Sequence, residues 1–125
     1  MDFDPCQAWY HGSPHKFTAL AAGSTITQNH KLARVFSHKP TIVSVSDEGI
    51  IKHNGTMPGY LYIVSEEVQP EDVIQHPHST MQEGEEWLTM RELAVHLLTP
   101  TEIRMEEMLT DEELTDLITR TNPHP

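Results

Sequence analysis

The stretch Trp9-Tyr10-His11-Gly12-Ser13 decides how the rest of this chain is interpreted. Its two aromatic residues predict a short strand, and its glycine allows another group to approach the backbone closely. Histidine can donate and accept hydrogen bonds near neutral pH. A strand of this composition can hold a flat polar ligand by its backbone while the imidazole reaches a hydroxyl of the same ligand. The hypothesis requires a matching acid at the end of another strand.

Length and composition predict one domain. The chain has 125 residues, of which 37% are hydrophobic, and this is enough to bury one core but not two. No apolar run approaches the roughly 20 residues that a membrane span needs, and the N-terminus lacks the pattern of a signal peptide. The single cysteine, Cys6, has no disulfide partner within the chain. We therefore expect a single domain over residues 1–125 that is cytoplasmic and has no membrane partner.

Charge divides the chain into two unequal halves. Residues 1–60 contain four acidic and five basic side chains, whereas residues 61–125 contain fifteen acidic and three basic ones, which gives the net charge of −11. A chain this acidic is not expected to follow a nucleic-acid backbone, because that requires lysines and arginines in place of counterions. The basic half suits a small anionic ligand such as a dinucleotide pyrophosphate, and the acidic half suits a basic protein partner.

The residue pattern predicts an α+β fold that is rich in strands and carries short helices at its edges. Strands are predicted over residues 9–11, 24–27, 41–45, 50–53, 59–64, 73–74, 92–98 and 101–105. Loops are expected over residues 12–23 and 65–84, and the second is long enough to suggest a functional or mobile segment. Asn29 is expected to cap a helix over residues 30–36.

The acidic C-terminal segment predicts a second helix. Thr110-Asp111-Glu112-Glu113 is a capping box, in which the first and last side chains bond to each other's backbone, and it opens a helix at about residues 110–120. The apolar residues Leu114, Leu117 and Ile118 share one side of this helix. We therefore expect it to pack on a core that spans about residues 8–105.

The order of these motifs resembles the ADP-ribosyltransferase fold, in particular the small rifampicin-modifying transferases. The matching segments are Tyr10-His11-Gly12-Ser13, Thr25-Ile26-Thr27, Tyr60-Leu61-Tyr62-Ile63-Val64, Arg91-Glu92-Leu93-Ala94-Val95 and Thr101-Glu102-Ile103. The resemblance implies a single compact domain with a split, mostly antiparallel β-sheet core and a few short helices. It also implies mono-ADP-ribosyl transfer from NAD, which serves as the substrate, to an acceptor.

The resemblance further implies a role for each matching residue. His11 would hydrogen-bond a ribose hydroxyl of NAD, the Gly12 backbone would hold the nicotinamide carboxamide, and Glu92 would be the catalytic acid. Tyr60 or Tyr62 would stack on the nicotinamide. The remaining residues expected to line the NAD site are Tyr10, Ser13, Thr27, Arg34 and Phe36.

The reaction explains why an acid is needed. Cleavage of the nicotinamide–ribose bond leaves an oxocarbenium-like ribose, and a carboxylate bonded to the ribose 2′-hydroxyl stabilises the developing positive charge. Glu85 and Glu86 are rival candidates for this acid, and they could instead form a loop that faces the acceptor. Met90 stands where transferases that modify arginine carry a second acid. The acceptor therefore stays open between a protein side chain, a nucleic-acid base and a small molecule.

Other functions remain alternatives. The chain could hydrolyse NAD without transferring the product, or it could be a non-catalytic acidic inhibitor that occupies a basic nucleic-acid-binding surface of a partner. RNA 2′-phosphotransfer on the same fold is less favoured, because it requires several arginines near the phosphate and, of the four in the chain, only Arg34 and Arg91 are candidates for that place. No metal site is expected, since the nine histidines, including His76 and His78, lack the spacing of zinc ligands.

Overall fold

Short strands account for most of the regular structure. The computed structural model describes residues 3–79, 81–82 and 84–121. The strands are β1 (Tyr10–Ser13), β2 (Ala19–Leu20), β3 (Thr25–Ile26), β4 (Val43–Val45), β5 (Ile51–His53), β6 (Gly59–Val64), β7 (Val73–Gln75), β8 (Trp87–Thr89) and β9 (Leu93–Thr101). The helices are α1 (His30–Phe36) and α2 (Asp111–Thr121), and 3₁₀ turns lie at Pro70–Asp72 and Met105–Glu107.

Two antiparallel sheets meet at one edge. The first has the strand order β1-β6-β9-β2 and the second has the order β3-β8-β7. The backbones of Tyr10 and Thr27 exchange two hydrogen bonds, of 2.7 and 3.0 Å, and thereby join the edge of β1 to the end of β3. The result is a curled half-barrel sheet, and the hairpin β4–β5 lies outside it. The expectation of an α+β fold with mostly antiparallel sheets is confirmed.

The inside of the curl holds the main hydrophobic core. Three aromatic rings, those of Phe3, Trp9 and Trp87, pack edge to face with centroids 5.1 to 5.7 Å apart. The other buried members of this cluster are Leu20, Ile26, Tyr62, Val73, Leu93 and Val95. Burial of a large apolar side chain stabilises a fold by about 1.5–3 kcal/mol, so this cluster is the main source of stability for the sheet.

Helix α1 packs on the outer side of β1. Asn29 caps the helix as predicted, since its side chain accepts a hydrogen bond from the Leu32 backbone. The helix lies so close to β1 that a Cβ atom on Gly12 would overlap the carbonyl oxygen of Ala33 and lie 2.7 Å from the Ser37 nitrogen. Glycine at position 12 is therefore required by helix packing, whatever its role toward a ligand.

Helix α2 begins at the predicted capping box. The Thr110 N–H donates to Glu113 Oε1 at 3.0 Å, and the Glu113 N–H donates to Thr110 Oγ1 at 3.1 Å. The Glu113 carboxylate also pairs with the Lys52 ammonium group on β5 at 3.1 Å. Leu114 and Leu117 are half-buried. The Ile118 side chain, which was expected beside them, lies outside the described side chains.

Two local expectations are wrong. No strand covers residues 101–105, because β9 continues through Thr101 and is followed by coil and a 3₁₀ turn. The segment predicted as a loop over residues 12–23 contains the end of β1 and the two-residue strand β2, which is too short to produce a recognisable pattern. None of the helices in the described part of the chain has the length and apolar character that crossing a bilayer requires.

Replacement of Gly12 by alanine is expected to destabilise the fold by more than about 3 kcal/mol, because rotation of a side chain cannot relieve an overlap with helix backbone. Gly23→Ala is the matched control. Gly23 has a φ of 87° but open space around it, so only a left-handed backbone cost of about 1 kcal/mol applies there. Urea unfolding compares the two variants. Equal midpoints would show that α1 does not press on β1.

Candidate functional site

The strands β1 and β3 separate immediately beyond the bridge between Tyr10 and Thr27. In a continued antiparallel ladder, the next hydrogen-bonded pair would be Gly12 and Thr25. Instead, the Thr25 carbonyl oxygen lies 2.6 Å from Nδ1 of His11. The His11 imidazole therefore lies where the two sheets diverge. It bonds to the Thr25 carbonyl, with which the Gly12 backbone would pair in a continued ladder.

The bond to Thr25 determines which nitrogen of His11 carries the proton. A carbonyl oxygen only accepts hydrogen bonds, so Nδ1 must donate. Burial lowers the pKa of His11 from its ordinary value of 6.5, against the opposing effect of the Thr25 carbonyl, and the Lys39 charge lowers it further. The imidazole is therefore neutral at pH 7 and presents Nε2 as an acceptor, which is the form that binds a hydroxyl donor.

The backbone of Gly12 faces the same gap. Successive residues of an antiparallel strand direct their N–H and C=O groups at alternate edges. The Trp9 carbonyl accepts from Val64 on the β6 side, and Tyr10 bonds to Thr27 on the opposite side. Gly12 therefore directs both a donor and an acceptor toward the β3 side, beside the His11 ring. A planar amide could form paired hydrogen bonds with these two groups.

Tyr62 clamps the turn that follows β1. Phe17 stacks on its ring with centroids 4.7 Å apart. The Tyr62 hydroxyl donates to the His15 carbonyl at 2.7 Å and accepts from the Phe17 N–H at 3.2 Å. Only 1% of Tyr62 is exposed, so no ring face is left for a nicotinamide to stack on. Phe17, half-buried and with its centroid 5.6 Å from that of His11, is a site residue that the sequence analysis missed.

Tyr60 and Ser13 lie opposite each other on the same face of the sheet as His11. The Lys16 ammonium group lies over the Tyr60 ring, 5.3 Å from its centroid. The Ser13 hydroxyl accepts from the His15 N–H at 3.1 Å, which supports the turn after β1. Of the two tyrosines expected to stack on a ligand, only Tyr60 has an accessible ring.

The other expected site residues lie on the α1 side of β1. Tyr10 packs its ring against His30, with centroids 5.2 Å apart. The Thr27 hydroxyl accepts from the Asn29 N–H and so helps to start α1. Phe36 packs against a second hydrophobic cluster. Arg34 is buried and paired with Glu107, which leaves its charge neutralised within the protein rather than directed at a ligand near His11.

Glu92 lies far along the sheet from His11. It is exposed and immediately precedes β9. Along the row that crosses the sheet, His11 is opposite Tyr62 and Tyr62 is opposite Leu97. Glu92 precedes Leu97 by five positions, which corresponds to about 16 Å along the strand, in addition to two strand spacings of about 5 Å each.

Glu86 lies level with the start of β1. Ile26 pairs with Trp87, so the same register brings Thr27 opposite Glu86. Because Tyr10 pairs with Thr27, these residues form a row in which Glu86 is two strand spacings, about 10 Å, from β1. The Ser79 hydroxyl donates to Glu86 Oε1 at 2.7 Å and holds the carboxylate. Glu86 is thus closer than Glu92 to the level of His11, but its side chain lies on the face that Tyr10 and Thr27 share, opposite to the face of His11, Trp9 and Trp87.

Two cavities lie beside Glu85. One of about 420 Å³ lies between α1 and the β4–β5 hairpin, and another of about 450 Å³ lies beside residues 28–29. Asn29, Gln82 and Glu85 line both of them, whereas His11, Glu86 and Glu92 line neither. Volumes in this range suit small-molecule ligands.

Arg91 has a structural role. Its guanidinium donates to Asp72 at 2.9 Å and to Glu66 at 2.9 Å. Glu66 also accepts from the Ala94 N–H. The Arg91 hydrogen bond is the main reason that the pKa of Asp72 is lowered, while for Glu66 the Ala94 N–H contributes first and Arg91 second. This network holds the segment before β9, and it engages Arg91 with carboxylates other than that of Glu92.

Within the described residues, no three histidine, cysteine or acidic side chains are arranged to hold a metal ion. Comparison of the chain with models of known protein families, with curated proteins and with solved structures finds no match.

The free energy of unfolding is expected to fall as the pH is lowered from 7 to 5. Burial lowers the pKa of both His11 and His53 below 6.5, so the unfolded chain binds protons before the folded chain does. Each of these histidines contributes at most about 1.4 kcal/mol per pH unit over this range. Urea unfolding at pH 7, 6 and 5 measures the slope.

The variant His11→Gln isolates one of the two contributions. Its slope should be shallower than that of the wild type, because one titrating group is gone. Equal slopes would contradict the lowered pKa of His11.

Proposed function

We propose that this protein cleaves the nicotinamide–ribose bond of NAD and transfers ADP-ribose to an acceptor. The observation that carries the proposal is the His11 imidazole, which is neutral, oriented by the Thr25 carbonyl and located where β1 and β3 diverge. The resemblance of the chain to ADP-ribosyltransferases, and in particular of the His-Gly-Ser motif, supplies the substrate.

The proposed binding mode uses the groups that face the gap. The nicotinamide carboxamide has one acceptor and one donor, which match the N–H and C=O of Gly12. Nε2 of His11 accepts a hydrogen bond from a ribose hydroxyl. Phe17 and Tyr60 offer aromatic surface beside these groups. The protein thereby fixes the nicotinamide and a ribose before any bond breaks, which lowers the entropic part of the barrier.

The acid of the proposed reaction is Glu86. It lies level with the start of β1 in the ladder, in the row of Tyr10 and Thr27. His11 and Glu86 are separated across two strands and lie on opposite faces of the sheet, so a dinucleotide that contacts both would pass through the gap between β1 and β3. A carboxylate at the nicotinamide ribose stabilises the oxocarbenium-like transition state. Glu92, the acid first expected, is the alternative and is tested beside it.

Release of free nicotinamide from NAD, followed by proton NMR, tests the proposed activity. Glu86→Gln should lower the rate about 10²–10³-fold, because the amide cannot stabilise positive charge as the carboxylate does. Glu92→Gln should match the control Glu48→Gln, which changes an exposed acid in the β4–β5 turn.

The outcomes separate the acid from the function. Loss of activity in Glu92→Gln but not in Glu86→Gln would return the catalytic role to Glu92 and leave the function standing. Wild-type protein that neither releases nicotinamide nor broadens the NAD signals would overturn the function itself. Free ADP-ribose as the only product would identify an NAD glycohydrolase rather than a transferase.

The affinity for NAD provides a separate test of His11. His11→Ala removes the acceptor for a ribose hydroxyl, and one such hydrogen bond corresponds to about tenfold in affinity. His96→Ala, at an exposed position of β9, is the control and should bind NAD like the wild type. Equal binding by both variants would remove His11 from the proposed site.

A further inference from the structure

A second group of polar side chains is buried on the α1 side of β1, away from His11. Arg34 belongs to α1, and His38 lies two residues beyond its end. His53 belongs to β5, and Glu107 belongs to the 3₁₀ turn before α2. Arg34 bonds to the Glu107 carboxylate. The rings of His38 and His53 stack with centroids 5.4 Å apart, and both residues are fully buried. The proposed function uses none of these four residues.

The two histidines have opposite tautomers. Nδ1 of His38 lies 2.7 Å from the Met57 carbonyl, so it carries a proton and leaves Nε2 as an acceptor. Nδ1 of His53 accepts from the Gly55 N–H at 3.0 Å, so the proton of the neutral ring is on Nε2. Burial, followed by the neighbouring His38, lowers the pKa of His53 and favours this neutral form.

Four buried atoms of this group have no hydrogen-bond partner among the described residues. They are Arg34 Nη1, His53 Nε2, His38 Nε2 and Glu107 Oε1. The first two are donors and the last two are acceptors. Buried polar atoms are almost always paired, with protein or with ordered water. The His38 and His53 rings stack, Arg34 bonds to Glu107, and the His53 backbone pairs with Met108 and Leu109 directly after Glu107, so the four atoms belong to one cluster.

We propose that this cluster binds one buried water molecule. Water accepts two hydrogen bonds and donates two, which is the complement of the two donors and two acceptors. The molecule would accept from Arg34 Nη1 and His53 Nε2, and it would donate to His38 Nε2 and Glu107 Oε1. Buried waters typically make about three such bonds and are part of the structure.

The protonation of the cluster favours water over an ion. A histidine that binds a metal through Nε2 normally donates its Nδ1 proton to a neighbour, but Nδ1 of His53 accepts a hydrogen bond. The Arg34 guanidinium also repels a cation. An anion would face the Glu107 carboxylate and the lone pair of His38. A neutral ligand with equal numbers of donors and acceptors fits both constraints.

A high-resolution crystal structure tests the proposal directly. We expect one density peak within about 2.7–3.2 Å of all four atoms, with no anomalous signal at the zinc edge. A peak with anomalous signal would identify a metal instead and overturn the proposal. Four side chains that bond directly to one another, with no peak between them, would overturn it as well.

The tautomers provide a measurement in solution. Long-range ¹H–¹⁵N correlation spectra at pH 7 should show His38 protonated on Nδ1 and His53 protonated on Nε2, with signals assigned from the variants His38→Gln and His53→Gln. The same tautomer on both rings, or a charged ring, would remove the balance of donors and acceptors on which the proposal depends.

Discussion

The bridge between Tyr10 and Thr27 is the constraint on which the rest of the structure depends. It is the point where the two sheets of the half-barrel join, and it exists for one residue pair only. Trp9 and Ile26, which adjoin the bridge on their two strands, are both buried in the hydrophobic core. Toward Gly12 and Thr25 the strands separate, and the His11 side chain rather than backbone bonds across the gap. A longer bridge would close the gap, and the absence of one would let the sheets slide.

Helix α1 is positioned from both sides. One face presses against β1 at Gly12, where no side chain larger than hydrogen fits. Another face carries Arg34 into the polar cluster with Glu107, and Ser37 bonds to Thr101 at the end of β9. An unpaired buried polar atom costs about 1–3 kcal/mol, which is large against a total stability of about 5–15 kcal/mol for a domain. The polar side of the helix therefore contributes to the fold alongside its apolar side.

The helix ends were predictable because a single capping side chain determines each of them. Asn29 caps α1, and Thr110 with Glu113 opens α2, since these side chains bond to backbone three residues away. Alternation of large residues predicted β6. Strand order was not predictable, and it decides which acid lies closer to the level of His11. Glu86 and Glu92 both precede apolar strands, so they look alike in the sequence. Arg34 likewise gave no sign of burial, because its partner is 73 positions away.

The Glu113 carboxylate takes part both in the start of α2 and in the attachment of α2 to the β4–β5 hairpin. It completes the cap of α2 and also holds Lys52 on β5. The Thr110 N–H and then Lys52 lower its pKa, so both partners favour the same charged form. Nucleation of the C-terminal helix and its attachment to the hairpin therefore depend on one ionised group. The cap and the contact with the hairpin are therefore coupled, and a change that neutralises this side chain would weaken both together.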